Sequence, residues 1–343
     1  GRGAAVWPRR DLPDVPAVPW SELSDVPIVL VTGSNGKTTS VRLLAAIARA
    51  AGMTPGYTTT DGAHAGREQL AGGDFAGPMG ARLVLRDPRV EIAVLETARG
   101  GILRRGLAVE HADATLVTNV AADHLDDFGV DDIETLAAVK LVTARVVRPG
   151  GRVLLNADDA GLTTFALGVS PASWFAVDRA SPLVAASIAA GGDATFVEDE
   201  TFMLAQAGRT VPVAPMSAVP VTLGGAAAYN VSNVLGAIAT ASALAQGPVR
   251  GFTVESIAEA LGRFGSPDDN PGRGNLYDVG GVRVLVDYAH NPHGLAALRP
   301  AVEALGGTRR ALTIGHAGDR GDDAIRELAR AAGQLAPDLV VLK

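Results

Sequence analysis

The chain has 343 residues, 47% of them apolar and 20% charged, with a formal net charge of −7 and no cysteine. That length is comfortable for two domains and allows a sizeable core. The acidic balance argues against a duplex nucleic-acid binder, and the lack of cysteine excludes disulfides and thiolate metal sites and fits a reducing cytoplasm.

Residues 1–26 are proline-rich and aperiodic, and read as an irregular leader or linker. Ile28-Val29-Leu30-Val31 is a short apolar β-branched run that leads into Thr32-Gly33-Ser34-Asn35-Gly36-Lys37-Thr38-Thr39. A helical pattern follows in Val41, Leu43, Leu44, Ile47 and Ala48, so strand, glycine loop and helix open a nucleotide-binding α/β domain. Further strands are predicted at Ile92–Leu95, Ala114–Thr118 and Arg152–Leu155, with a helix from Ile133 to Val147. Continuous apolar strands alternating with helices indicate a mainly parallel sheet covered on both faces. Residues 226–246 are alanine-rich and predict a helix with Leu235, Ile238 and Leu244 inward. Ser266–Gly272 is turn chemistry and marks a domain boundary. Beyond it, Val282–Val286, a helix around Leu295–Leu305 and Ala311–Ile314 predict a partial Rossmann-like α/β domain. The expected organisation is a leader (1–26), a P-loop-type domain (27–270) and a C-terminal domain (271–343). The start at Gly1 and the end inside the strand-like Leu339–Leu342 suggest a fragment at both ends. No apolar run approaches the roughly 20 residues of a membrane span, so no membrane partner is expected.

The Gly33–Thr39 segment is shorter than the general GxxxxGK[ST] pattern, because Val31 stands where its first glycine belongs. The chemistry is the same: glycines let backbone N–H groups turn inward, and the helix start adds partial positive charge. Lys37 is expected on the β/γ-phosphates and the Thr38 hydroxyl on Mg²⁺. Mg²⁺ takes oxygen ligands and keeps several waters. Glu96 directly follows Ile92–Leu95, at the carboxyl edge of the sheet where open α/β folds bind ligands. Asp123 and His124 occupy the equivalent place after the next strand. Arg99, Arg104 and Arg105 lie in a basic stretch, read as a loop, whose guanidinium forks suit an acidic acceptor. Thr59, Thr60 and Asp61 are candidates to line the same channel.

These segments together resemble the Mur ligase superfamily, in family order from about residue 28 to 320. The Gly33–Thr39 loop is similar to its phosphate loop. Asn119–Leu125 followed by Lys140 resembles its second-metal histidine and often carbamylated lysine. Ala228-Tyr229-Asn230-Val231-Ser232-Asn233 resembles the helix start whose asparagines face adenine. Asn270-Pro271-Gly272-Arg273 and Asp287-Tyr288-Ala289-His290-Asn291-Pro292 resemble the hinge arginine and the ribose-binding aspartate loop, and Gly318-Asp319-Arg320 a further C-terminal turn. Within the superfamily, Tyr57–Gly62, Glu96–Arg104 and Asn275–Val279 look like the ligase half of the cyanophycin synthetase branch, without its ATP-grasp half.

The resemblance implies an ATP- and Mg²⁺-dependent ligase. It would form an amide through an acyl-phosphate, and would add an amino acid, arginine favoured, to a peptide or aspartyl carboxylate. The implied catalytic residues are Lys37, Glu96, His124 and Lys140, and the implied metal ligands Thr38, Glu96, His124 and Lys140. Gly33, Ser34, Asn35, Gly36, Lys37, Thr38, Thr39, Asn230, Asn233, Arg273 and Asp287 would hold ATP. Thr59, Thr60, Asp61, Arg99, Arg104, His290 and Asn291 would meet substrate. Two alternatives stay open: a Mur-type ligase for another acid (a folate or a cell-wall precursor), and a non-catalytic ATP-binding scaffold subunit. A P-loop GTPase is disfavoured by the lack of a guanine-reading NKxD. A homo-oligomer in the cytoplasm is compatible with all of these.

Overall fold

The computed structural model describes residues 26–122, 128–315 and 321–343. The predicted leader, Asp123, His124 and the Gly318-Asp319-Arg320 turn therefore lie outside the described residues, Val26 apart.

In chain order, β1 (Ile28–Thr32) feeds the phosphate loop and α1 (Lys37–Ala50). A meander of β2 (Pro55–Thr59), β3 (Gly62–Ala65) and β4 (Glu68–Gly72) comes next. Then follow α2 (Pro78–Leu85), β5 (Ile92–Glu96), α3 (Arg99–Arg105), β6 (Ala112–Val117) and α4 (Ile133–Leu141). After these come β7 (Val147–Asn156), α5 (Ala160–Phe165), β8 (Ala172–Asp178), α6 (Pro182–Ala189) and β9 (Ala194–Glu198). The unit closes with β10 (Thr201–Gln206), β11 (Arg209–Pro215), α7 (Ala228–Ala245) and α8 (Val254–Arg263). The C-terminal unit holds β12 (Asn275–Val279), β13 (Val282–Val286), α9 (Pro292–Leu305), β14 (Ala311–Ile314), α10 (Asp322–Gly333) and β15 (Leu339–Leu342).

The described strands of the first unit form one sheet in the order β11-β10-β9-β8-β7-β6-β1-β5-β2-β3-β4. Pairing is parallel from β9 to β2 and antiparallel at both ends, where β10–β11 and β3–β4 are added as hairpins. Of the parallel strands, β1, β5, β6 and β7 are those expected from apolar runs, and β2, β8 and β9 are not. The flanking hairpins fall outside that expectation, although β10 carries the apolar run Phe202-Met203-Leu204-Ala205, mostly buried. Both faces of the centre are covered, as parallel strands require. Successive residues of β7 point to opposite sides: Leu154 joins the cluster under α1 and α7, with Leu116, Phe175, Leu235 and Ile238. Its neighbours Val153 and Leu155 join the opposite cluster, with Leu136, Trp174 and Val184.

Two local expectations are corrected. The helix predicted from Ile133 to Val147 ends as an α-helix at Leu141 and tightens into a 3-10 turn over Val142–Val146. β-branched residues crowd there, and the Thr143 hydroxyl takes up the Lys140 carbonyl at 3.0 Å. The arginine-rich stretch is not a loop but the helix α3, stopped at Gly106.

In the C-terminal unit β12 and β13 form a hairpin, and β14 pairs with β15 in parallel across α10. Leu295 and Leu298 of α9 pack on Leu328, Ala331 and Ala332 of α10, and Tyr229 at the start of α7 packs against this cluster. The α7 and α9 termini thus bring the two units together over the carboxyl edge of the large sheet.

Candidate active site

The phosphate loop is built against the end of β6. Ser34 N donates to Asn119 O at 3.1 Å, and Asn35 N to Asn119 Oδ1 at 2.9 Å. Asn35 O accepts from Thr118 Oγ1 at 2.6 Å and Asn119 Nδ2 at 3.0 Å. Gly33 (φ 146°) and Gly36 (φ 84°) hold conformations that L side chains rarely adopt. A Cβ on Gly33 would collide with Thr118 Oγ1, and one on Gly36 with Asn233 Oδ1. Neither neighbour can move without leaving its place at the site. Gly33→Ala is therefore expected to abolish ATP binding while leaving the chain folded. Wild-type affinity by calorimetry, with an unchanged melting temperature, would count against a phosphate cradle here.

Lys37 Nζ donates to Gly33 O at 3.0 Å and Ser34 O at 2.9 Å, folding back over the loop. Thr38 Oγ1 donates to Glu96 Oε2 at 2.8 Å and lies 3.4 Å from Thr60 Oγ1. Glu96 is 1% exposed, and its Oε1 has no hydrogen-bond partner. Burial raises its pKa more than Lys37 and the Thr38 hydroxyl lower it. An orphaned buried carboxylate oxygen beside a threonine hydroxyl is a donor set that suits a hard divalent cation, so these residues fit Mg²⁺. Among the described residues no cluster of three or more His, Asp or Glu could hold a metal. Thr38 and Glu96 would hold the ion together with oxygens from outside the protein. Lys140 is buried and lines the same space.

That space is one cavity of about 920 Å³ shared by the two units. The Gly33–Thr39 loop, Thr60, Glu96 and Lys140 form its floor, and Asn233, Arg273, Asp287 and His290 form the end beneath the C-terminal unit. Arg99, Arg104 and Arg105 of α3 also line the cavity, with the Arg104 guanidinium 4.8 Å from the Phe128 ring centre. Arg273 lies flat on Tyr288 at 3.8 Å and donates to Thr60 Oγ1 at 3.2 Å. The pKa of Asp287 is raised by burial, which outweighs its bond from Ala289 N and the nearby Arg273.

Four expected contact residues stand behind the wall rather than on it. Asp61 is taken by Arg42, at 2.8 Å, with Arg273 at 3.8 Å. Thr59 is fully buried, and its hydroxyl serves the β2–β3 turn by accepting from Asp61 N at 3.1 Å. Asn230 donates to Val221 O at 2.8 Å and accepts from Asn233 Nδ2 at 3.1 Å, so it positions Asn233 instead of facing the cavity. Asn291 is fully buried, caps α9 through Gly294 N at 2.7 Å, and donates to Asn35 Oδ1 at 3.0 Å. Thr39 lines the floor and also accepts from Asn270 Nδ2 at 3.2 Å, tying α1 to the linker.

The sequence matches the Mur ligase middle domain over residues 31–241 and the Mur ligase glutamate ligase domain over residues 272–343. The chain belongs to the Mur ligase family. It is 41% identical over 320 residues to a cyanophycin synthetase of Synechocystis sp., covering 93% of this chain and 36% of that protein. It thus spans about a third of the length of the cyanophycin synthetases it matches. A UDP-N-acetylmuramoyl-L-alanyl-D-glutamate–2,6-diaminopimelate ligase of Gloeobacter violaceus is 28% identical, over 91% of this chain and 60% of that one. The fold is also similar to a pseudomurein peptide ligase type C from Methanothermus fervidus (TM-score 0.63, 20% identity, covering 93% of this chain and 64% of that one).

This Mur ligase carries cavity residues that the sequence reading missed. Asn156 ends β7, Asp158 and Asp159 follow it, and all three line the cavity. The strand-end logic that selected Glu96 applies equally to them. Tyr229 and His293 also line it. Arg42 lies beneath it, and nothing in the sequence marks that arginine apart from its place on the first turns of α1.

Proposed function

We propose that the chain is an ATP-dependent, ADP-forming carboxylate–amine ligase, divided into a nucleotide-binding domain (27–270) and a C-terminal domain (271–343). We favour arginine as the amine and a peptide aspartyl carboxylate as the acceptor, at a cytoplasmic site. The observation that carries this reading is one cavity lined together by the glycine-rich Gly33–Thr39 loop, the hydrogen-bonded Thr38–Glu96 pair and three arginines of α3. A triphosphate and a carboxylate repel each other, so charge must be neutralised where they meet. Lys37 supplies a cation at the loop, while the α3 arginines add positive charge along the cavity for the acceptor. Bound Mg²⁺ would supply further neutralisation of the phosphates.

With ATP as substrate, an acceptor carboxylate oxygen attacks the γ-phosphorus and ADP leaves. The amine nitrogen then attacks the acyl carbon, the carbon–oxygen bond breaks to release phosphate, and the nitrogen sheds its proton. Arg273 and Asp287 hold the nucleotide from the C-terminal side, and contact between the units keeps water from the acyl-phosphate. The names of the relatives support ligation, while the choice of arginine rests on the sequence resemblance of Tyr57–Gly62, Glu96–Arg104 and Asn275–Val279 alone.

The test follows ADP release with Mg²⁺-ATP and an aspartyl peptide, adding each amino acid in turn and weighing the product. Release with arginine alone, and a product heavier by one arginine residue, is the expected result. Stimulation by another amino acid keeps the ligase and discards the substrate. ATP binding without turnover for any amine or acceptor favours the scaffold subunit.

A further inference from the structure

His293 stands on the first turn of α9, and its ring lines the cavity beside the phosphate loop. Nδ1 lies 3.0 Å from the Asn35 side-chain nitrogen. The orientation of that amide is set from its other side, because Asn291 Nδ2 donates to Asn35 Oδ1 at 3.0 Å. Both asparagines are themselves held. Asn291 is fully buried as the cap of α9, and the Asn35 backbone is bonded in both directions to Thr118 and Asn119. An amide nitrogen can only donate, so Nδ1 accepts, and the neutral ring carries its proton on Nε2. Among the described residues Nε2 has no hydrogen-bond partner.

We propose that His293 is a phosphate-contacting residue delivered by the C-terminal domain, whose Nε2–H donates to the triphosphate of a nucleotide seated on the Gly33–Lys37 loop. This rests on the ATP reading above and extends it to a residue outside the phosphate loop. A role in removing the amine proton would need a bare Nε2, which the Asn35 contact disfavours. Asn35 and Asn291 then act as positioning residues that fix the donor. They also make seating of the C-terminal domain and occupancy of the loop mutually dependent.

The experiment measures equilibrium binding of Mg²⁺-ATP and of adenosine to the full chain, as wild type, His293→Ala and His293→Gln. His293 is exposed, so neither variant removes core packing. Loss of one hydrogen bond to a charged group predicts ATP binding weaker by about 10-fold or more in His293→Ala. Adenosine binding should be unchanged, and His293→Gln, which keeps a neutral N–H donor, should recover most of the loss. ATP binding by His293→Ala at the wild-type level overturns the assignment. So does an equal loss for adenosine, or a glutamine variant no better than alanine. A wild-type chain that binds no ATP overturns this proposal together with the nucleotide reading; the other outcomes touch His293 alone.

Discussion

Glu96→Gln is expected to melt at a higher temperature than the wild-type chain at neutral pH without nucleotide, and to lose ADP release by about 10² or more. Glu96 is fully enclosed, and its pKa is raised because burial outweighs the help it receives from Lys37 and Thr38. The ionised form is thus a net cost to the fold, and Oε1 remains without a partner. Glutamine keeps the shape and an acceptor for the Thr38 hydroxyl while removing the charge. Gain of stability with loss of function is the pattern expected if this carboxylate serves a divalent cation. In the wild type, Mg²⁺-ATP should raise the melting temperature through linkage, and in the variant that increment should nearly vanish. Thermal melts with and without Mg²⁺-ATP, beside the ADP-release assay, test both halves. A variant that melts lower than wild type, or that keeps its magnesium-dependent turnover, would sink the assignment of Glu96 as a ligand.

The same residue shows why part of the site was legible in sequence. Glu96 could be found because it ends a buried strand, and the chain's local order places strand ends at the ligand edge of a parallel sheet. The phosphate loop was legible for the same local reason, since glycines, Lys37 and Thr38 fall between one strand and one helix. Asp61 was misjudged because its partner is not local. Arg42 reaches it from α1 only once the β2–β3 hairpin has turned Asp61 toward the linker at Asn270. Asn230 and Asn233 are three apart and share a helix face, so sequence could not say which faces a ligand. The decision lies with Val221 O, on an irregular connection where Leu223 holds φ 51°. His293 was missed because its meaning depends on Asn35, some 258 residues away. Positions fixed by one strand end, loop or helix start could be placed from sequence, and those fixed by a partner distant along the chain could not.

Lys37→Ala is expected to lower turnover by about 10² or more, by comparison with loss of a preorganised electrostatic donor. Without ligand, the ammonium bonds the carbonyls of Gly33 and Ser34, the two residues that open the loop. On the proposed reading it would serve twice, shaping the loop and giving its charge to the phosphates. These roles separate by measurement. If only loop shape matters, Lys37→Arg, which keeps N–H donors on a long stem, should restore most of the ATP affinity and the rate together. If a compact charge at the phosphates matters, arginine should recover binding but little turnover, because its planar fork cannot place a point charge where lysine does. The second pattern is the expected one, since the catalytic demand falls on charge that develops as the phosphoryl group moves. Near-normal turnover in Lys37→Ala would remove the phosphate-loop assignment. Thr38 and Glu96 would then be a polar pair without a triphosphate to serve, and the ligase reading would lose its floor.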